Sequence, residues 1–275
     1  MPNLIRFAKR MQALAGLGDG WQGRLRIIRA LVALWIVKTV SPGRRPSFRL
    51  PLRQSGLFTL RVDEYTDLTV IEEVFVRGEY DVDAAGPVAT IVDLGGNLGA
   101  SAIYFAIRWP EAHIHVMEPD PRVLPKLREN VAAFPNVRVH PWAATGLDEE
   151  VKLRLASESW ASSLLSGTPS GDPEVGVPGL RLSTMFERLG ISEVDLLKFD
   201  IEGAELEVLA ESTALARVRQ MVGEVHCELL GLDLATFCER VLSDREVQVL
   251  DDSETHPVIS AALRPRGPGE PRACS

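Results

Sequence analysis

Residues 92–101 read VDLGGNLGAS, an acid followed closely by Gly95, Gly96 and Gly99. The preceding apolar run, residues 90–93, has the length and composition of a buried strand, and residues 100–109 have those of a helix. The glycines therefore fall in a strand-to-helix turn, where a missing Cβ permits close backbone approach. Such a turn belongs to parallel sheets with helices on both faces.

A second strand, residues 113–117, ends in Glu118, placed ~20 residues after the last glycine, where a carboxylate can accept both hydroxyls of a ribose. Each charged hydrogen bond of that kind contributes ~1.5–3 kcal/mol. The dinucleotide fingerprint fails, because counting from Gly95 puts Asn97 and Ala100 where the second and third glycines belong. No phosphate-binding G-x-x-x-x-G-K-[ST] loop occurs either. Asp93 at the mouth of the turn would repel a pyrophosphate. It suits a ligand with an ammonium and a sulfonium, the charge profile of S-adenosylmethionine.

Three segments together carry a resemblance: VDLGGNLG at 92–99, VMEPDP at 116–121 with Asn130 downstream, and LLKFDIEGAELEVL at 196–209. With them the chain resembles the class I S-adenosylmethionine-dependent methyltransferases, and within these the FkbM family, over residues 56–265. It departs from the family pattern with Thr184 and Met185 where a Leu-Asp pair is common, and with Gly96 where alanine is usual. The resemblance implies that Asp93, Gly95, Asn97 and Gly99 embrace the methionine end of the cofactor. It further implies that Glu118 takes the ribose and that Ala143 and Ala144 lie near the adenine. Gly96, Ser101, Pro119 and Asp200 complete the expected cofactor set, and Trp142 either stacks on the adenine or belongs to the core.

Methyl transfer from a sulfonium needs alignment of acceptor, methyl and sulfur, and positioning of this kind supplies up to ~7–11 kcal/mol. A hydroxyl acceptor also wants a base. The expected catalytic residues are Asp200, Glu202 and His226, with His140 a further candidate at a strand end. One of the two carboxylates could instead cap the following helix. His226 is read as alternating with Glu224 and Glu228 on one strand face, where acids would raise its pKa, against the plainer reading of a buried strand histidine. Asp200, Glu224 and His226 are also candidate ligands of a divalent metal, a reading not favoured because no compact motif unites them. Lys198 is expected to neutralise acids at the strand end or to snorkel. His113, His115 and His256 are read as structural or exposed, and Ser162 and Ser163 as members of a solvated loop.

The expected fold is a doubly wound, Rossmann-like α/β sheet, mostly parallel, closed by a C-terminal antiparallel hairpin and preceded by a helical extension. Three stretches are expected: a basic N-terminal helical extension over 1–53, the methyltransferase domain over 54–265, and a flexible tail over 266–275. Residues 67–77 read as a helix that covers the cofactor mouth. Residues 157–179, rich in Ser, Gly and Pro, read as a long loop, and residues 204–215 as one helix.

Charge divides the chain. Residues 1–53 carry eleven Lys or Arg against Asp19, a local charge of +10 that leaves −18 on the remainder of a chain totalling −8. Residues 25–40 are apolar but contain Arg26, Arg29 and Lys38, too charged for a comfortable span of ~20 residues. No small-residue cleavage site follows them. They read either as a helix packed on the core or a second subunit, or as an interfacial helix resting on an anionic membrane. Three cysteines without C-x-x-C spacing indicate neither a disulfide framework nor zinc, and suit a reducing cytoplasm.

The expected acceptor is a small molecule or glycolipid, a hydroxyl of a sugar or natural-product scaffold. An acidic core without basic-aromatic interleaving argues against nucleic acid. Oligomeric state stays open. The rival readings are a non-catalytic cofactor-binding or membrane-associated scaffold and a nicotinamide-dependent oxidoreductase.

Overall fold

The computed structural model describes residues 2–40, 46–54, 56–84, 86–155 and 173–264. Two helices, α1 (Pro2–Gly16) and α2 (Gly20–Val40), lead into a hairpin of β1 (Phe48–Gln54) and β2 (Gly56–Val62), followed by α3 (Asp67–Glu72). The central elements are β3 (Thr90–Leu94), α4 (Ala100–Arg108), β4 (His113–Met117), α5 (Leu124–Val131) and β5 (Val137–His140). Short strands β6 (Ala143–Ala144), β7 (Glu149–Arg154) and β8 (Glu174–Leu180) come next, then α6 (Leu182–Leu189) and β9 (Val194–Phe199). The chain continues with α7 (Glu205–Leu209), α8 (Ser212–Leu215), β10 (Val218–Glu224), α9 (Cys227–Leu230), α10 (Leu234–Val241), β11 (Arg245–Asp251) and β12 (Val258–Leu263).

Seven strands form the main sheet in the order β11-β12-β10-β9-β3-β4-β5. Neighbours from β10 to β5 are parallel, whereas β12 runs antiparallel to both β10 and β11. This is the doubly wound sheet expected, with its closing hairpin inserted so that the last strand lies inside the first of the pair. Strand order reverses between β3 and β9, which makes their carboxyl ends the crevice of the sheet.

Both faces are covered. Ile91, Ile114 and Leu196 join a core with α4, the β1–β2 hairpin and the inner face of α2, while Val92, Met117 and Leu197 join another with Leu182, Phe186 and Phe237. Alternate residues of one strand thus enter opposite cores, as a period of two requires.

The N-terminal helices pack on the first core through Leu14, Ile27, Leu31 and Leu34. The β1–β2 register, Arg53 opposite Leu57 among its pairs, spans the expected division at 53/54. Asn130 ties this hairpin to the glycine turn: its Oδ1 accepts from Arg61 N–H (2.7 Å) and its Nδ2 donates to Leu98 C=O (2.8 Å).

Three expectations need correction. Residues 174–180 form a strand paired with β7 rather than part of a loop, because Val175, Val177 and Gly179 alternate inward between the exposed Glu174, Gly176 and Pro178. Residues 204–215 make two short helices, α7 and α8, not one. The helix over 67–77 changes to π geometry at Glu73–Arg77 and ends at left-handed Gly78. Ser162, Ser163, Cys274 and the tail over 266–275 lie outside the described residues.

Candidate active site

The glycine turn is built against its neighbours as much as for a ligand. Gly95 has φ +80°, and a Cβ there would stand 1.9 Å from the carbonyl oxygen of Asp200. Gly99 has φ +92° and a Cβ position 2.8 Å from Leu127. Only glycine allows these approaches, so β9 and α5 close on the turn. Asn97 adopts the left-handed region as well, with φ 44°.

Glu118 closes the other side of the turn. Its Oε2 accepts from Asn97 N–H and its Oε1 from Asp120 N–H, each at 2.8 Å. Each oxygen keeps a lone pair free for a hydroxyl. Burial is the main cause that pushes the Glu118 carboxyl up to about 7, against the two backbone donors that lower it. Asn97 Oδ1 is buried and has no hydrogen-bond partner. The expected cofactor residues therefore present open acceptors beside a buried carboxylate, which fits a ligand with ammonium and ribose donors.

Asp93, fully buried, accepts from Ser101 Oγ at 2.6 Å. Ser101 thus positions Asp93 rather than lining the crevice. Pro119 is half-buried beside Glu118. Ala143 and Ala144 are buried in β6 and direct their methyls into the core. His140 stacks between Trp142 (4.8 Å) and His115 (5.4 Å), and its Nε2 meets His115 Nδ1 at 3.1 Å. It belongs to this ring stack and not with the acids. Burial, then the neighbouring imidazole, holds His115 down at about 4.

Lys198 is the hub of the crevice. Its ammonium donates to Gly95 C=O at 2.6 Å and pairs with Asp93 at 3.2 Å and Asp200 at 3.8 Å. Burial would lower its pKa, but Asp93 and Asp200 outweigh that and hold it raised. The expectation that Lys198 neutralises acids at the strand end is met. Tyr80, which the sequence reading passed over, donates its hydroxyl to Asp200 at 3.3 Å and lays its ring 5.3 Å from Lys198.

Beyond Asp200 lies a cleft of about 290 Å³, lined by Thr66, Thr69, Val70, Glu73, Asp200, Glu202, Glu224, His226 and His256. The expected catalytic residues meet here: His226 Nε2 is 3.4 Å from Glu202 and 3.8 Å from Asp200. Glu202 is held with φ 51°, a conformation that costs a non-glycine residue ~1–2 kcal/mol. Strain of this sort gathers at functional sites.

The strand reading of His226 is overturned. Strand β10 ends at Glu224, because Pro257 accepts from Val225 N–H but has no N–H to return the bond, and the backbone turns, leaving His226 as N-cap residue of α9. Glu228 is exposed on that helix and takes no part. The partner of His226 is instead Glu205, wholly buried, whose Oε1 lies 2.7 Å from Nδ1. Glu205 was within the 196–209 segment, but its role depends on the tight turn at Gly203, which no spacing rule discloses. His256, read as structural or exposed, is exposed, and its ring packs edge-on 5.3 Å from that of His226.

Burial lowers the affinity of His226 for a proton, but the hydrogen bond to Glu205 and the charge of Asp200 win and raise its pKa to about 10. Burial, then Asp200, pushes both Glu202 and Glu224 up. Burial likewise raises Glu73 and Glu79 to about 7.

The profile of the Methyltransferase FkbM domain matches residues 93–232. The AMB antimetabolite synthetase AmbE of Pseudomonas aeruginosa is 28% identical over 215 residues, 63% of this chain and 10% of that protein. The 2-O-methyltransferase NoeI of Sinorhizobium fredii is 26% identical, over 45% of this chain and 57% of that protein. The 31-O-demethyl-FK506 methyltransferase FkbM of Streptomyces tacrolimicus is 27% identical, over 51% of this chain and 66% of that protein. The match thus spans a tenth of the first relative and less than two thirds of the other two. With a match running from the acid of the glycine turn past the His226 cluster, the chain belongs to the FkbM methyltransferase family, whose cofactor is S-adenosylmethionine.

Proposed function

We propose that this chain transfers a methyl group from S-adenosylmethionine to a hydroxyl of a sugar, glycolipid or natural-product scaffold. The observation that carries the reading is the junction at Asp200, which reaches the cofactor crevice through Lys198 and the acidic cleft through His226. The names of two relatives, a 2-O-methyltransferase and a 31-O-demethyl-FK506 methyltransferase, put the methyl on oxygen.

Bound S-adenosylmethionine supplies an electrophilic methyl on a positively charged sulfur. Asp93, Asn97 and Glu118 orient it by its ammonium and ribose, and the ring of Trp142 stands beside the adenine site. Asp200, Glu202 and His226 would surround the acceptor hydroxyl, with His226 held charged between the acids and one of the two carboxylates taking the hydroxyl proton. Calorimetric titration with S-adenosylhomocysteine, and in parallel with NADH, tests the reading. Micromolar binding of the first alone is expected, and binding of NADH alone would overturn it.

A membrane-facing role for α2 is favoured by its outer surface. At ~100° per residue, Trp21, Leu25, Val32, Trp35 and Ile36 form one exposed apolar stripe opposite the buried Ile27, Ala30 and Leu34. Arg24 and Lys38 flank the stripe on one side, and Arg26 and Arg29 on the other. Apolar residues rimmed by cations complement an anionic bilayer surface. No helix among the described residues is long and apolar enough to cross a membrane. Lys38 lies 5.8 Å from the ring of Tyr65, whose neighbour Thr66 lines the cleft. A protein seated through α2 would present the cleft to a lipid-linked acceptor, on the cytoplasmic side that the free Cys227 and Cys238 suit.

A further inference from the structure

The cleft gathers imidazoles and carboxylates from separate stretches of chain. Glu224 ends β10, His226 follows it, His256 comes from the turn before β12, and Asp200 and Glu202 follow β9. One donor atom each from Glu224, His226 and His256 lies within 4.8 Å of the others, and the same holds for Asp200, Glu202 and His226. We infer that Glu224, His226 and His256, with Asp200 and Glu202 alongside, form a binding site for one divalent transition ion.

Three independent features support the site. A base for one hydroxyl needs one proton acceptor, whereas convergence of two imidazoles with carboxylates is the composition of a ligand set. His226 has its Nδ1 fixed on the buried carboxylate of Glu205 at 2.7 Å, which directs Nε2 to the cleft. Metal-bound histidines are oriented by a carboxylate in this way. The cleft lining also holds Glu73, Asp200, Glu202 and Glu224 and, among the described residues, no lysine or arginine; Lys198, behind the lining, pairs with Asp200 at 3.8 Å, so the four acids outnumber the cations beside them. Two imidazoles favour zinc and its neighbours late in the first transition row over magnesium or calcium, with manganese the weakest-bound ion of that row.

The inference rests on the methyl-transfer reading only for what the ion does. There it lowers the pKa of the acceptor hydroxyl, and the released proton passes to Glu202. Binding itself is tested without cofactor, by titrating Mn2+ into the full chain and following free Mn2+ by electron paramagnetic resonance. One equivalent is expected to be taken up, and to be displaced by equimolar Zn2+ but not by Mg2+. His256→Ala and Glu224→Gln are expected to weaken uptake at least ~10-fold, and Glu205→Gln, acting through His226, ~10–100-fold.

His256 is exposed, so its variant keeps the fold, as circular dichroism will verify. No uptake by folded wild-type protein overturns the site, and so does undiminished uptake by His256→Ala, which would assign the ion to surface carboxylates. Calorimetry with S-adenosylhomocysteine on the same preparation separates the two readings. Retained cofactor binding without ion uptake removes the ion alone, whereas ion uptake without cofactor binding removes the methyltransferase.

Discussion

The ammonium of Lys198 sits 3.2 Å from Asp93 Oδ1 across the β3–β9 seam, with both side chains sealed from water. Removing one member of such a pair strands the other in a medium that cannot solvate it. Lys198→Met is therefore expected to destabilise the protein by ~3–5 kcal/mol, read from urea unfolding. A loss below ~1 kcal/mol would show that Asp93 finds another partner.

Glu118 makes cofactor affinity depend on pH. On the proposed ribose contact its carboxyl, raised to about 7 by burial, would accept two hydroxyls best when ionised, so binding would favour the charged form and release a proton. Affinity for S-adenosylhomocysteine is expected to rise between pH 6 and pH 8 and to level off above. Glu118→Gln is expected to flatten the profile and weaken binding throughout. An unchanged profile in that variant would remove Glu118 from the ribose.

The left-handed backbone of Glu202 sets stability against chemistry. Glycine adopts φ 51° without strain, so Glu202→Gly is expected to hold thermal stability or raise it slightly while methyl transfer falls ~10²–10⁴-fold. Parallel loss of both would mean that the carboxylate holds the turn together instead.

The stripe on α2 predicts sedimentation with phosphatidylserine-containing vesicles, weakening with salt, and none with purely zwitterionic ones. Replacing Trp21 and Trp35 by serine is expected to abolish it while leaving S-adenosylhomocysteine binding intact. A dimer that dissociates in the same double variant, without any vesicle binding, would assign this face to a second copy.

What could be read from the sequence follows from the range of the interactions involved. The glycine turn and the alternation of strands with helices rest on local spacing and period, and these the chain displays openly. Glu205 and His256 are different: the first reaches His226 from another strand's loop and the second from ~30 residues further along, so neither has a local signal. The misreading of His226 as a strand residue has the same origin, because the strand stops opposite Pro257, far along the chain, which has no N–H to return the bond it accepts from Val225. The stripe on α2 eludes a period analysis since apolar residues occupy its inner and outer faces alike.

The placement of β12 between β10 and β11 ties the histidines of the cleft to the last strand of the sheet. Residues 258–263 are the strand that joins β10 to β11, with Met221 and Val247 both opposite Ala261. His256, two residues ahead of that strand, reaches His226 only when it inserts. The contact between His226 and His256 thus depends on the closure of the sheet at its far edge, and not only on the glycine turn at its centre.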